Sequence, residues 1–195
     1  MPGIPIASHG THLSTPGAVT PPVGRGPLDG LRIASLGTFV AGPFAAALLA
    51  ELGADVIKVE PPDGDPWRMN GFVYNRGTRS LAIDLSAAAG RATFDDVLRG
   101  TDVVMNNFRL GVMDRLGLGA KRLASLNPSL ISVDVTAYGA AGPAAEKPGY
   151  DTVLQAAAGI MTAQGGRDEP VVVSLPVNDH TTAVVGRASR GPRPA

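Results

Sequence analysis

A strand, a helix and a second strand follow one another within residues 31–59, and this succession restricts the fold more than any other feature of the sequence. The run LRIASL predicts a short strand, and Pro43 opens an alanine- and leucine-rich helix that Gly53 ends. Proline at a helix start and glycine after its end are the favoured positions of these residues. The run VIKV predicts the second strand, which ends at Pro61 because proline cannot continue a central ladder. Such a unit makes a right-handed crossover between two parallel strands.

The same alternation continues more weakly along the rest of the chain. Further strands are predicted at 80–85, 102–105, 130–135 and 170–174, and helices at 86–99, 111–126, 151–161 and 179–186. Hydrophobic residues make up 44% of the chain and charged residues 17%, a composition that allows a buried core. Strands that alternate with helices predict an α/β fold, in which helices flank a mostly parallel sheet.

The two ends of the chain differ from the part between them. Residues 1–26 are rich in Pro, Gly, Ser and Thr and contain no Asp or Glu, so they cannot bury enough apolar surface to offset the entropy lost on ordering. Residues 187–195 become rich in Arg and Pro just after a predicted helix start. We therefore expect a disordered extension at 1–26, a folded region at 27–186 and a disordered tail at 187–195. The abrupt change also favours a chain truncated by a frameshift or early end over an authentic short protein.

Charge and residue usage argue against several classes of function. The chain has 17 basic and 17 acidic side chains, so its net charge does not favour nucleic acid or an anionic membrane as a partner. No apolar run approaches the roughly 18 residues of a spanning helix, and no signal-peptide pattern is present. The absence of cysteine excludes disulfides and thiolate nucleophiles. We expect a cytoplasmic protein without a metal, because His9 and His12 have no other ligand types nearby.

Seven segments, taken in order, resemble the family III coenzyme A transferases, which include formyl-CoA transferase, carnitine-CoA transferase and the α-methylacyl-CoA racemases. The segments are PLDGLRI (27–33), AGPFAAALLAELGADVIKVEPPDGD (41–65), NRGTRSLAIDL (75–85), NNFRLGVMDRLGLG (106–119), LNPSLISVDVTAYGAAGP (126–143), KPGYDTVLQAAAGIM (147–161) and LPVNDHTTAVVG (175–186). The resemblance implies a Rossmann-like large domain, a smaller second domain and a homodimer of interlocked chains. It also implies that 27–186 is an incomplete large domain, because the family's chain continues to build the small domain and then returns.

Asp179 is the candidate catalytic residue. It follows a strand-like run and Pro176 at a predicted helix start, where backbone N–H groups stabilise a carboxylate. The local pattern alone is more typical of an aspartate that only caps the helix. The resemblance implies the catalytic alternative, in which the matching aspartate attacks an acyl-CoA thioester, forms an acyl–aspartyl anhydride and then an aspartyl-CoA thioester, and passes CoA to an acceptor carboxylate. His180 is interpreted as a bystander, because adjacent helix residues do not face each other.

Coenzyme A or acyl-CoA is expected as a substrate, with no permanently bound cofactor. The turn that begins at Thr38 resembles the family segment whose backbone contacts CoA, and a helix N-terminus suits phosphate. It does not have the G-x-G-x-x-G spacing of a dinucleotide site. The resemblance assigns CoA contacts to Phe39, Val40, Ala41, Arg76, Arg79, Asn107, Arg115 and Tyr150. For the turn and for each arginine, a purely structural or solvated role is the open alternative.

Tyr150 bears on the type of reaction. In the racemase branch this position is a histidine that pairs with the aspartate for proton transfer, whereas tyrosine, with a pKa of about 10, is a poor base. The sequence therefore favours CoA transfer from an acyl-CoA to a carboxylic acid over racemisation. An inactive remnant that at most binds CoA or a full-length partner is the second hypothesis. For Lys58 and Glu60, a structural role in fixing the strand end is as consistent with the sequence as a functional role. Trp67 is more consistent with packing than with covering a ligand.

Overall fold

Five parallel strands form one sheet in the computed structural model, which describes residues 26–68 and 72–186. The strands are β1 (Arg32–Ser35), β2 (Asp55–Glu60), β3 (Arg79–Ala82), β4 (Val103–Asn106) and β5 (Ile131–Asp134). Their order is β3-β2-β1-β4-β5, and each neighbouring pair is parallel. The predicted α/β class with a parallel sheet is confirmed. The order reverses between β1 and β4, which is where open sheets of this kind form a crevice at their carboxyl edge.

Seven helices connect or flank these strands within the described residues. They are α1 (Ala41–Glu51), α2 (Ala88–Arg99), α3 (Val112–Arg115), α4 (Ala120–Leu126), α5 (Asp151–Ala157), α6 (Ile160–Gly165) and α7 (Val177–Gly186), with a short 3-10 helix at Phe72–Asn75. The first helix begins two residues before Pro43, which is tolerated because the first-turn N–H groups have no intrahelical partner. The helix predicted at 151–161 is divided by Gly159, whose φ of 75° ends one helix and begins the next.

The core lies on both faces of the sheet, since successive side chains of a strand point to opposite faces. On one face Ala34 packs in a cluster with Phe94 and Leu98 of α2. On the other face Ile33 shares a cluster with the alanines of α1 and with Ala183 of α7. Small side chains on both helices allow α7 to pack closely on α1, and Ala183 brings the second half of α7 into the core on this face.

The strand predicted at 170–174 is wrong. The backbone of this segment pairs with a side chain of α5 instead of a strand, because Gln155 is fully buried and its amide faces Val173. The Val173 N–H donates to Gln155 Oε1 at 2.9 Å, and Gln155 Nε2 donates to the Val173 carbonyl at 3.1 Å. A β-branched run thus remains extended without joining a sheet, since strand propensity depends on context.

The two predicted disordered ends lie outside the described residues, except for Gly26. The candidate metal pair His9 and His12 also lies there. Within 26–68 and 72–186, no helix has the length and apolar character needed to cross a membrane. The same residues contain no group of three or more His, Asp or Glu side chains placed to hold a metal ion.

Candidate active site at the carboxyl edge of the sheet

The turn between β1 and α1 is fastened to the end of β4. The Thr38 N–H donates to Asn107 Oδ1 at 2.8 Å, and Asn107 Nδ2 donates to the Thr38 carbonyl at 2.8 Å. Both polar ends of the Asn107 side chain are therefore bonded to the turn. This reciprocal pair spans the crevice where the strand order reverses, the usual ligand position in open α/β sheets. Asn107 can act on a ligand here chiefly by fixing the shape of the turn.

Phe39 has a backbone conformation that bulky residues rarely adopt. Its φ is 61°, and Phe39 is the only non-glycine residue with a positive φ among residues 26–68 and 72–186. The turn around it is tight, because a Cβ atom at Gly42 would lie 2.9 Å from the Gly37 Cα atom and 3.1 Å from the Asn107 side chain. Strained backbone of this kind concentrates at binding and catalytic sites. The sequence singled out this turn, but its strain could not be read from residue types.

Three aromatic side chains from separate segments meet at this turn, and we call them the aromatic platform: Phe39, Trp67 and Tyr150. The ring centroids of Phe39 and Trp67 are 5.7 Å apart, and those of Phe39 and Tyr150 are 6.3 Å apart. The three residues are 41%, 36% and 55% exposed, respectively. Phe39 therefore contacts both other rings, and all three still present apolar surface to a ligand.

A buried polar network at the end of β2 holds the loop that carries Trp67. Lys58 is 2% exposed and forms an ion pair with Asp65, and its ammonium also donates to Asn75 Oδ1 at 2.7 Å. Asp65 in turn accepts a bond from the Trp67 N–H at 2.8 Å, and its own N–H donates to Glu60 Oε2 at 3.0 Å. Lys58 and Glu60 thus fix the strand end and the loop after it.

The candidate nucleophile lies in the first turn of α7, and a carboxylate from α5 holds that turn. Asp151 is buried, and its Oδ1 accepts the N–H groups of Asn178 at 2.7 Å and Asp179 at 3.3 Å. The capping carboxylate is therefore Asp151, and the side chain of Asp179 remains available for other chemistry. This role of Asp151 could not be predicted from the sequence, because the segment KPGYD contains no spacing that links it to a helix 26 residues later.

Asp179 is half-buried, and this environment disfavours its charged form. Burial, and next the neighbouring Asp151 carboxylate, raise the pKa of Asp179 to about 6, while His180 acts in the opposite direction. The carboxylate is thus mostly ionised at neutral pH but is less stable than an exposed one. A shifted carboxylate at the carboxyl edge of a sheet is a candidate functional group on physical grounds.

His180 is engaged elsewhere. Its Nδ1 lies 2.8 Å from the Pro176 carbonyl, which can only accept, so this nitrogen carries the proton. The other nitrogen, Nε2, is hydrogen-bonded to the Tyr74 hydroxyl at 3.3 Å. The ring also packs against Phe44 of α1, with centroids 5.0 Å apart. His180 therefore joins α7 to α1 and Tyr74.

Two of the predicted CoA-contacting residues lie away from this site. Arg76 pairs with Glu51, the last residue of α1, and Arg79 is bonded to Asp55 through Nε at 2.9 Å and a terminal nitrogen at 2.6 Å. An 11-residue helix separates Glu51 from the β1–α1 turn by about 16 Å. Both arginines therefore lie toward the amino edge of the sheet, where Arg79 borders a cavity of about 330 Å³.

Arg115 lies on the same edge as the candidate nucleophile. It ends α3, whose residues Met113 and Asp114 line a cavity of about 240 Å³ beside the carboxyl ends of β4 and β5. Asn106 of β4 and Asp134 of β5 also line this cavity, and they are joined by a bond of 2.6 Å from Asn106 Nδ2 to Asp134 Oδ1. The structure thus brings together the β1–α1 turn, Asn107, Tyr150 and Asp179, with Arg115 on the same side of the sheet.

Comparison with known proteins gives consistent matches. The sequence pattern of CoA-transferase family III matches residues 28–189. Acetyl-CoA:oxalate CoA-transferase of Acetobacter aceti is 43% identical over an alignment of 163 residues, and the match covers 77% of this chain and 42% of that protein. Succinyl-CoA–D-citramalate CoA-transferase of Chloroflexus aurantiacus is 38% identical over 170 residues, with coverages of 80% and 42%.

Solved structures agree with these sequence matches. The crystal structure of the hypothetical protein Rv3272 from Mycobacterium tuberculosis superposes with a TM-score of 0.78 at 38% identity, covering 84% of this chain and 48% of that one. A CAIB/BAIF family protein from Brucella suis gives a TM-score of 0.76 at 35% identity, with coverages of 85% and 49%. The chain therefore spans less than half the length of the relatives that it matches.

Proposed function

The chain belongs to CoA-transferase family III, and on that basis we propose that it carries the nucleophile of an enzyme that moves coenzyme A from an acyl-CoA to a carboxylic acid. The observation that carries the proposal is the environment of Asp179, a half-buried carboxylate with a pKa raised to about 6, held beside the buried carboxylate of Asp151. The relatives named above are CoA-transferases that differ in their acids, oxalate in one and D-citramalate in the other. Transfer of CoA between acids is the chemistry they share.

In the first step, a carboxylate oxygen of Asp179 attacks the carbonyl carbon of the acyl thioester. The carbon–sulfur bond breaks, CoA leaves as a thiolate, and an acyl–aspartyl anhydride remains. This step removes the negative charge from Asp179. Burial and the Asp151 carboxylate, which raise the pKa of Asp179, therefore favour the attack as well, because both disfavour the charged carboxylate.

The thiolate then attacks the aspartyl carbonyl of the anhydride and releases the donor acid as a carboxylate. The resulting aspartyl-CoA thioester is attacked by the acceptor carboxylate, which forms a new anhydride and again frees the thiolate. A last attack by the thiolate on the acyl carbonyl yields the new acyl-CoA and restores Asp179. Each step exchanges one nucleophile for one leaving group, so no proton or electron is gained or lost overall.

Coenzyme A would approach from the carboxyl edge of the sheet. In this proposal, the backbone at Phe39, Val40 and Ala41 faces the thioester end, since N–H groups at the start of α1 can stabilise a developing negative charge. Asn107 contributes by fixing the turn, and Arg115 is a cation available to a phosphate on this side. Arg76 and Arg79, with their partners Glu51 and Asp55, stay outside the proposed site.

The test is to trap the covalent intermediate on the full chain. We expect incubation with an acyl-CoA, followed by hydroxylamine, to convert Asp179 into a hydroxamate that peptide mass spectrometry detects. Asp179→Ala should abolish this product. The matched control, Asp63→Asn, removes an exposed carboxylate of the loop after β2 and should leave it unchanged.

Calorimetric titration with free CoA separates the two hypotheses about this chain. Saturable CoA binding together with the hydroxamate supports transfer. Binding without any hydroxamate supports a chain that holds CoA but does not perform transfer alone, the second hypothesis above. A folded chain that neither binds CoA nor forms the hydroxamate contradicts the proposal.

A further inference from the structure

We propose that the aromatic platform of Phe39, Trp67 and Tyr150 forms one wall of the acyl-group site and selects flat, apolar acyl groups such as a benzoyl group. This inference rests on the proposed function, because the platform meets an acyl group only if Asp179 is the nucleophile. It adds a substrate class to that function. Neither the composition of the chain nor its family membership specifies which acyl group is transferred.

The platform is connected to the nucleophile through two consecutive residues. Tyr150 immediately precedes α5, and its ring contacts Phe39 at 6.3 Å between centroids. The next residue, Asp151, accepts the N–H of Asp179. An acyl carbon within reach of the Asp179 carboxylate would therefore place its substituent in the neighbourhood of these rings.

The ring of Phe39 is an addition that the backbone does not require. A glycine would adopt a φ of 61° without strain, whereas a bulky residue does so at a cost. The side chain is 41% exposed, so it is not a major part of the buried core. What the phenyl group adds at this position is therefore an apolar surface at the edge of the site.

Trp67 is presented by a rigid loop. The backbone N–H of Trp67 donates to Asp65 Oδ1 at 2.8 Å, and Asp65 forms the buried ion pair with Lys58. A partly exposed indole on a fixed backbone loses little freedom when a ligand packs on it, which increases affinity. The ring plane lies at 41° to that of Phe39, so the two contacting rings present apolar surface in two orientations against which a flat group can pack.

The charges around the platform argue against an acyl group with a second carboxylate. The two cations nearest to Trp67 along the chain are already paired, the buried Lys58 with Asp65 and the half-exposed Arg68 with Glu60. Asp151 follows Tyr150 in the chain and accepts the Asp179 N–H, so two acidic residues lie on this side of the platform, and aromatic ring faces carry partial negative charge. A carboxylate on this wall would meet repulsion, whereas an aromatic ring would gain offset or edge-to-face contacts.

The platform can be tested without the nucleotide. Trp67 is the only tryptophan of the chain, so its fluorescence reports directly on this surface. We would titrate the full chain with the benzoyl and the succinyl thioesters of N-acetylcysteamine and follow Trp67 emission and heat release. The expected result is that the benzoyl thioester binds about fivefold tighter or more, as one or two aromatic contacts would give. Equal affinities, or tighter succinyl binding, would overturn the proposal.

Substitutions in the aromatic platform test which side chains cause the preference for the benzoyl thioester. Trp67→Leu and Phe39→Asn, the latter chosen because asparagine tolerates a positive φ, should each remove most of the benzoyl preference in calorimetry. Ile131→Ala, which trims an exposed apolar side chain at the amino end of β5, should keep it. An equal loss in the Ile131 variant, or no loss in the other two, contradicts the proposal.

Titration with CoA itself keeps this inference distinct from the proposed function. Saturable CoA binding without a benzoyl preference rejects the platform and leaves the transferase proposal intact. A benzoyl preference without CoA binding supports the platform and counts against the transferase proposal for this chain.

Discussion

The β1–α1–β2 unit and the region from α5 to α7 both contribute to the candidate site, but different forces hold them. In the first unit, strand ladders and a buried ion pair fix the loops. In the second, buried side chains bind backbone groups that would otherwise pair with another strand or turn. Gln155 binds the segment at Val173, and Asp151 binds the first turn of α7. The candidate nucleophile is therefore carried by the region with fewer backbone constraints. Its position depends on individual polar side chains.

The largest loss of stability is expected when the buried ion pair of the first region is broken. Lys58→Met leaves Asp65 buried without its cation, and removing one partner of such a pair typically costs about 3–5 kcal/mol. We expect global loss of stability in urea unfolding, with β2 and the Trp67 loop affected together. A double variant, Lys58→Met with Asp65→Leu, should recover much of this loss, because no unpaired charge remains. If the Lys58→Met chain were as stable as the parent, the ion pair would not be one of the interactions that hold the first region.

A smaller, local effect is expected in the second region. Gln155→Ala leaves the N–H and carbonyl of Val173 without their partner, at a cost of about 1–3 kcal/mol. Hydrogen exchange should accelerate at residues 170–176 and the start of α7, while β1 and β2 stay protected. Uniform acceleration across the sheet would instead mean that the two regions unfold as one unit.

The pH dependence of stability sharpens the comparison further. Since the folded-state pKa of Asp179, about 6, exceeds the ordinary value of 3.8, the folded chain binds this proton more tightly. The contribution of Asp179 to stability is therefore present below about pH 4 and is lost as pH rises toward and through about 6. With solvent screening of a half-exposed group, we expect a change of about 1 kcal/mol.

Asp179→Ala provides the measurement for this pH effect. The unfolding free energy of the variant relative to the parent should increase between about pH 4 and 6 and then level off. Asp151→Asn keeps an acceptor for α7 but removes the charge, so the pKa of Asp179 should fall in carboxyl NMR titrations. An unchanged pKa in that variant would leave burial as the sole cause.

The smallest effect is expected at the amino edge. Arg79→Ala removes an exposed ion pair with Asp55, which is worth about 0–1 kcal/mol. Its affinity for CoA should equal that of the parent in calorimetry, because Arg79 lies away from the carboxyl edge. A several-fold weaker CoA affinity, with stability unchanged, would return Arg79 to the binding site that the sequence resemblance assigned to it.

The sequence was informative where local pattern decides structure. The β1–α1–β2 unit follows from Pro43, Gly53 and two apolar runs, and the family segments pointed to Asp179 in the first turn of a helix. Contacts made by side chains across long separations were not predictable. No residue pattern links Gln155 to Val173 or Trp67 to Phe39, and the run at 170–174 was wrongly predicted as a strand because its pairing partner is an amide side chain.

The edge of the sheet at which an arginine lies was also not predictable from the sequence, because it depends on strand register. Arg79 is the first residue of β3 and pairs with Ile57 in the middle of β2, so it begins its strand on the side opposite to the candidate nucleophile. A one-dimensional match to family positions contains no such information. In the folded chain, Arg76 and Arg79 lie at the amino edge of the sheet, whereas Arg115 lies at the carboxyl edge.

The carboxylate that α5 extends to the first turn of α7 has a practical consequence for engineering. The geometry of Asp179 is set by the relation between two helix starts, and α6 and the loop after it take no part in the bonds from Asp151. Insertions in the exposed stretch at 166–169 are therefore expected to be tolerated. That stretch offers a place to graft a purification tag or a fluorescent reporter about ten residues before Asp179 in sequence, without displacing the candidate nucleophile.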